Sequence, residues 1–313
     1  MNPFSPLCEL PTYLRHPAVR DLAWTLISAP LFSDISCPQR HPLAACTWSA
    51  AQLSNWLQQL DQNAHSLEAW LALSSTRRLG LYYEKLWQFA LRAAPDVELL
   101  AANIAIRQGG HTLGEMDLLS RDANGDHHIE LACKFYLGPR HASGLDPSNW
   151  LGPGAEDCLE LKLEHLRQQQ LPLSNTPQAR SVLATLHITR VQAEVWLGGY
   201  LFYPWAAACE PPLGAHPQHL RGLWLHRAQW PEFAAQTTAG RWLVLPRPRW
   251  LAPALTNETN SLTLAQLTEH LQQTTPVPTP LLVAQLEQRA DGDWHELQRL
   301  FVLHDNWPQA SNA

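Results

Sequence analysis

The sequence lacks the signals that would direct a chain out of the cell or into a membrane. Its opening residues, MNPFSPLCELPTYLRHP, contain no basic start followed by an apolar core, which a secretory signal would show. No apolar run reaches the ~18 residues that a membrane-spanning helix requires. We therefore expect a cytoplasmic protein that does not enter a membrane.

Motifs for several common chemistries are missing as well. The six cysteines include no CxxC pair, so a structural zinc site is not indicated and reduced thiols are expected. G-x-S-x-G, P-loop and GxGxxG patterns are also absent, which argues against serine hydrolases and nucleotide-binding proteins. The formal net charge of −6 argues against a protein that coats nucleic acid through a general basic surface. A metal-dependent nuclease can still be acidic, because the metal supplies positive charge at the phosphate.

The composition is that of a folded protein. With 45% hydrophobic and 16% charged residues, the 313-residue chain is long enough for one large or two modest domains. Apolar residues recur at helical spacing over Leu79–Ala93, and Pro95 ends that pattern. Similar patterns predict helices over 17–31, 47–60 and 66–73. The sequence therefore predicts an N-terminal helical region over residues 1–74.

Strands are predicted after this helical region. Strand-like patterns cover 97–108, 113–120 and 128–137, and Asn124-Gly125 indicates a tight hairpin turn between the last two. A helix is predicted over 155–170. Strand-like runs follow at 181–187, 193–203, 222–226, 241–245, 280–286 and 296–303, with a short helix at 264–273. This order of elements predicts a mixed α/β or α+β fold with a strand-rich C-terminal part.

The predicted hairpin carries charged residues on strands that otherwise have a buried pattern. Glu115 and Asp117 point to one face of their strand, and Glu130 and Lys134 point to one face of the next. Mg²⁺ binds one or two carboxylates plus water, and a lysine stabilises developing negative charge. Two carboxylates and a lysine on neighbouring strands would satisfy what a Mg²⁺- or Mn²⁺-dependent nuclease needs in order to hydrolyse DNA or RNA phosphodiesters. The pattern also has an explanation without catalysis. Glu115 and Asp117 would lie on a solvated strand edge, and Glu130 would form a structural ion pair with Lys134 or an arginine.

The order of these residues resembles that of a known superfamily. A helix with Glu84, a strand with Gly114-Glu115-Met116-Asp117, a strand with Glu130-Leu131-Ala132-Cys133-Lys134 and a following helix are similar to the PD-(D/E)xK nucleases. More narrowly, the segments LYYEKLWQFAL, LGEMDLL, HHIELACKFYLG, WLGPGAEDCLELKLEHL and QQLPLS resemble the bacterial DUF1853 family of uncharacterised proteins over most of the chain. The resemblance implies a restriction-endonuclease-like core of central mixed strands flanked by helices over residues 75–205. Residues 206–313 then form a strand-rich region packed on that core.

The resemblance also implies roles for individual residues. Asp117 corresponds to the metal-binding aspartate of the first strand motif, Glu130 to the second acid and Lys134 to the catalytic lysine. Glu84 corresponds to the acid that some members place on the first core helix. Glu115 has no fixed counterpart and is an auxiliary metal-ligand candidate.

The second strand motif departs from the superfamily pattern. Its acid usually precedes the lysine by two residues, about 7 Å along a strand, but Ala132 occupies that position. Glu130 lies four residues before Lys134, roughly 13 Å away by the same rise. Either Glu130 is a displaced ligand, with a bulge or the long lysine side chain closing the distance, or the site has lost hydrolytic activity and only binds. The second account describes a catalytically inactive nuclease-fold protein that acts as a nucleic-acid or protein interaction module.

Other polar residues near the hairpin have weaker patterns. On the helix after it, the resemblance implies substrate-binding side chains, with a solvated helix face as the alternative; these residues are Lys162, Arg167 and Gln170. Four histidines close to the hairpin are expected in loops or on the surface: His111, His127, His128 and His141.

Overall fold

The structure is a computed structural model of the chain, and it describes residues 2–33, 35–73, 78–237, 240–273 and 279–308. The helices of this part are α1 Leu10–Tyr13, α2 Pro17–Ile27, α3 Ala50–Gln62, α4 His65–Ala72, α5 Leu79–Ala93, α6 Leu159–His165, α7 Pro177–Thr185, α8 Trp230–Gln236 and α9 Leu264–Gln273. The strands are β1 Val97–Gln108, β2 His111–Asp122, β3 Gly125–Leu137, β4 Gln192–Pro204, β5 Leu220–His226, β6 Arg241–Leu245, β7 Leu255–Thr256, β8 Leu281–Gln288 and β9 Trp294–Leu303. They form a mixed nine-stranded sheet, so the predicted mixed α/β fold is confirmed.

The chain divides into two compact units. The first comprises Met1–Cys133, Lys162–Gly198 and Gly214–His219, and the second comprises Lys134–Leu161, Gly199–Leu213 and Leu220–Ala313. Strands β3 and β4 therefore each begin in the first unit and end in the second. The predicted boundaries after residues 74 and 205 stay predictions.

Amphipathic sequences and local caps account for the helices at the start of the first unit. Ser49 caps α3 in a capping box, since its side chain accepts the Gln52 N–H while the Gln52 side chain accepts the Ser49 N–H. Helix α5 has the predicted bounds, and it buries a stripe that includes Tyr83, Leu86 and Trp87. The strongest helical pattern in the sequence is thus confirmed residue for residue.

The hairpin of the first unit is also confirmed. Strands β1 and β2 pair antiparallel, and β2 pairs with β3 through a ladder that runs from Asp122–Gly125 to Leu118–Ile129. Gly125 has a φ of +119°, a conformation that L side chains rarely adopt, which explains the Asn-Gly turn. The register places Asp117 and Glu130 one step beyond the last ladder pair, on neighbouring strands.

One strand prediction is wrong. Residues 181–187 lie largely in helix α7, which packs Ala179 and Leu183 against apolar side chains of β1 and β2. The Thr176 side chain accepts the Ala179 N–H, and Pro177 occupies the first helical turn. A capping threonine followed by proline is a helix-start signal, and here it overrides the strand-like run that follows.

The second unit has the predicted strand-rich character. Strands β4, β5 and β9 pair in parallel, while β8 pairs antiparallel with both β9 and β6. Helices α8 and α9 contribute Trp230, Phe233, Leu267 and Leu271 to an apolar core with these strands. Helix α8 was not predicted. In neither unit does a described helix combine the length and apolar composition needed to cross a membrane.

Candidate functional site

Asp117 lies where the β2–β3 ladder ends. Its Oδ2 accepts the backbone N–H of Leu131 at 2.8 Å, so the side chain replaces a strand carbonyl as the acceptor. Burial, followed by the charges of Glu130 and Glu84, raises the pKa of Asp117 to about 8 against the opposing effects of the Leu131 N–H and Lys162. Three carboxylates of the first unit are thus electrostatically coupled.

Glu84 joins this group from helix α5. Burial raises its pKa, the Asn103 hydrogen bond opposes that shift, and the charges of Glu115 and Glu130 add to it. Asn103 donates from Nδ2 to Glu84 Oε2 at 2.7 Å and accepts at Oδ1 from Gln88 Nε2 at 2.7 Å.

Asn103 has an unusual backbone conformation for a strand residue. It lies on β1 between the pairs Ala102–Leu118 and Ile104–Met116, which places it across from Asp117. Its φ is +52°, in the left-handed region that costs a non-glycine residue on the order of 1–3 kcal/mol. Asparagine tolerates this region better than most residues. The strand is therefore distorted at the point where its amide holds Glu84.

Glu130 is fully buried, and both of its oxygens have partners. His128 Nε2 is 2.6 Å from Oε1, and Gln170 Nε2 donates to Oε2. His128 is fully buried as well, and its Nδ1 has no hydrogen-bond partner among the described residues. The contacts with a histidine and an amide offset the desolvation cost of the carboxylate, a role that was predicted for a lysine or an arginine.

The predicted substrate-binding residues lie on α6, which carries Lys162, and on the turn that follows it, which carries Arg167 and Gln170. Helix α6 begins four residues later than predicted and continues into a π-helical turn over Leu166–Gln170. Gln170, at the end of this turn, accepts at Oε1 from Lys162 Nζ at 2.7 Å. Arg167 is exposed on the same turn, and its Nε donates to the Leu163 carbonyl at 3.3 Å.

Lys134 has a different environment in the second unit. Its ammonium is 2.6 Å from Asp157 Oδ2, and Tyr136 donates to Asp157 Oδ1 at 3.3 Å. The side chains of Lys134 and Asp157 are 29% and 42% exposed, so this ion pair is accessible to solvent. Its assignment as the catalytic lysine stays a prediction.

The structure corrects the prediction for two of the four histidines. His111 and His141 are exposed as expected, but His127 and His128 are fully buried. The His127 ring lies between two carboxylates, with Glu194 at 2.8 Å from Nδ1 and Asp122 at 3.1 Å from Nε2. Burial is tolerated because both ring nitrogens have partners.

These residues suit a divalent cation whose remaining ligands are water molecules. Within the described ranges, no three His, Cys, Asp or Glu side chains are arranged to hold a metal ion. Mg²⁺ requires only one or two carboxylates, and water completes its coordination. Asp117 and Glu84 supply that number of carboxylates, since the charge of Glu84 helps to raise the pKa of Asp117. Glu115, exposed on β2, adds negative charge near Glu84.

A cavity in the second unit is separate from all predicted site residues. It has a volume of about 390 Å³, is widely open to solvent and is lined by Arg140, His141, His226, Ala228, Gln229 and Asp305. We place the candidate site at the carboxylates instead, because interacting charges that are buried or half-buried are a more specific sign of function than an open depression.

The sequence did not predict the contacts of three residues in the site environment: Asn103, His128 and Asp157. Asn103 is a polar residue in an otherwise apolar strand run, a signal that could have raised interest in it. His128 precedes Glu130 by two residues and therefore shares its strand face, which could have suggested their contact. Asp157 lies on the polar face of the helix predicted over 155–170, and nothing in that pattern indicates its contact with Lys134.

The comparisons with known proteins give one match. The model of a domain of unknown function, DUF1853, matches residues 20–303. Neither a search of curated proteins nor a search of solved structures finds a match. Since the matched residues make up most of the sequence, the chain belongs to the DUF1853 family.

Proposed function

We propose that the chain is a Mg²⁺- or Mn²⁺-dependent nuclease that hydrolyses phosphodiester bonds of DNA or RNA. The observation that carries this proposal is the placement of Asp117 on β2 next to the fully buried Glu130 on β3, where the charges of Glu130 and Glu84 both raise the pKa of Asp117. Like charges in a desolvated place repel one another, and either a proton or a cation must neutralise them. A divalent cation does so while providing a reaction centre for phosphate.

The chain's own residues would prepare this centre. Asp117 and Glu84 would hold the cation, with Glu130 and Glu115 as the further predicted carboxylates. The Leu131 N–H orients Asp117, and Asn103 orients Glu84, before any ligand arrives. The bound cation would stabilise negative charge on the phosphate oxygens.

The reaction is a hydrolysis with a simple atom balance. The oxygen of one water forms a new bond to phosphorus, and the bond from phosphorus to the leaving oxygen breaks. The leaving oxygen takes up a proton, so the products are a phosphate monoester and a hydroxyl group. The order of acids on α5, β2 and β3 supports the further proposals of a restriction-endonuclease-like core and of the PD-(D/E)xK superfamily. The six free cysteines support the proposal of a reducing, cytoplasmic location, and the family resemblance supports that of a bacterial origin.

Cleavage assays on single- and double-stranded DNA and RNA test the proposal. We expect metal-dependent cleavage that Asp117→Asn abolishes and Glu84→Gln reduces strongly. Glu98→Gln is the matched control, because it removes an exposed carboxylate from β1 in the same unit. Absence of cleavage by the wild type with either metal, or cleavage that survives Asp117→Asn, would overturn the assignment.

One observation favours the alternative of a non-catalytic interaction module. Both Glu130 oxygens already have hydrogen-bond partners, as expected of a structural carboxylate. This alternative predicts no heat of Mn²⁺ binding in calorimetry. It also predicts that Glu130→Gln changes the free energy of unfolding while leaving nucleic-acid or protein binding intact.

A further inference from the structure

Lysine is rare in this chain, and each of its lysines has a described partner. The three are Lys85, Lys134 and Lys162, among 22 lysines and arginines. Lys85 lies 4.8 Å from the centre of the Trp70 ring, and Lys134 pairs with Asp157. Only for Lys162 does the described partner, Gln170, lead on to a carboxylate of the candidate site.

Gln170 connects Lys162 to Glu130 through the two ends of one amide. Its Oε1 accepts from the Lys162 ammonium at 2.7 Å, and its Nε2 donates to Glu130 Oε2. A cation can only donate and a carboxylate can only accept, so these neighbours fix the orientation of the amide. His128 holds the other oxygen of Glu130 at 2.6 Å, which prevents the carboxylate from turning away.

The positions of these four residues in the fold are consistent with a hydrogen-bonded network that reaches a substrate at the surface. Glu130 and His128 are fully buried on β3, whereas Lys162 and Gln170 are half-buried. The contacts therefore run from the interior of the first unit toward its surface. A π-helical turn carries Gln170, and such turns occur frequently at functional sites.

We propose that Lys162 is the catalytic lysine of this site, with Gln170 and Glu130 as its positioning residues. This inference rests on the proposed nuclease function. The Lys162 ammonium contacts a phosphate oxygen of the substrate and stabilises the negative charge that develops there as the leaving P–O bond breaks. The positive charge of Lys162 offsets part of the rise in the pKa of Asp117, which agrees with this placement.

Kinetics of matched lysine variants test the inference. Lys162→Met should lower kcat by about 100-fold or more, the usual effect of losing one charge-stabilising or proton-transferring group. Binding of uncleaved nucleic acid in Ca²⁺ should change little, and Lys162→Arg should restore part of kcat. Gln170→Leu should lower kcat by less than Lys162→Met does, because it displaces the ammonium without removing it. Lys85→Met is the control and should retain near wild-type kcat, whereas Lys134→Met tests the competing assignment of the catalytic lysine.

A second measurement does not require turnover. Reductive methylation with ¹³C-formaldehyde labels the three lysines and the N-terminus, and Lys→Arg variants assign the lysine signals by NMR. Paramagnetic Mn²⁺ should broaden the Lys162 signal first.

The outcomes separate the two proposals. Loss of kcat in Lys134→Met with an active Lys162→Met, or selective broadening of the Lys134 signal, overturns the lysine assignment and leaves the nuclease proposal standing. A wild type that neither cleaves nor binds Mn²⁺ overturns the nuclease proposal and the lysine assignment together.

Discussion

Arg299→Met offers a sharp test of how charge is buried in the second unit. The Arg299 guanidinium is 1% exposed, and it donates to both oxygens of Glu296, at 2.5 and 3.0 Å. It also donates to three backbone carbonyls, at 2.6 Å to Trp250, 3.4 Å to Leu251 and 2.9 Å to Ala252. One side chain thus neutralises a buried carboxylate and donates hydrogen bonds to the carbonyl groups of an irregular backbone segment.

The expected loss of stability follows from what the substitution leaves behind. Methionine fills a similar volume, so the cavity contribution is small. Glu296, which is 8% exposed, loses the one cation that pairs with it among the described residues, and this costs about 3–5 kcal/mol of unfolding free energy. The Ala254 N–H still donates to Glu296 Oε2 at 2.6 Å and offsets part of this cost.

Urea unfolding followed by tryptophan fluorescence measures the effect. Arg249→Met is the control, because Arg249 is exposed in the same unit and its loss should change the free energy of unfolding by less than about 0.5 kcal/mol. Arg299→Lys should fall between the two, since it keeps the charge but loses the planar fork. An Arg299→Met variant within 1 kcal/mol of the wild type would refute this account of the buried pair.

Three further predictions concern pH dependence, backbone geometry and capping. Burial lowers the pKa of His41 to about 3 against its hydrogen bond to a carbonyl, so the unfolded chain takes up the proton first. Unfolding free energy should therefore fall as pH drops from 6.5 toward 3, and His41→Gln should reduce this slope while exposed His65→Gln leaves it unchanged. Gly199→Ala should cost more than about 4 kcal/mol by thermal denaturation, since its φ is +134° and a Cβ would lie 1.8 Å from a carbonyl oxygen; Gly80→Ala, in open space on α5, should be neutral or stabilising. Thr176→Ala should cost about 1 kcal/mol in urea unfolding through loss of the α7 cap.

Much of the architecture was predictable because it depends on local periodicity. Helix α5 and strands β1 and β6 have the predicted bounds, since each carries a clear period and a distinct end. The failure at 181–187 arose where two local signals conflicted and the Thr-Pro start determined the outcome. The placement of Asp117 beside Glu130 was also predictable, because a hairpin with a known turn has a defined register.

The sequence by itself determined which residues could meet, through strand and helix periods set by backbone geometry. Only the tertiary structure decided which of them do, because burial forces each polar group to find the partner that long-range packing brings within reach. Glu130 is bound by Gln170, forty residues away, and Lys134 by Asp157. Nothing in the local pattern of either strand specifies those choices.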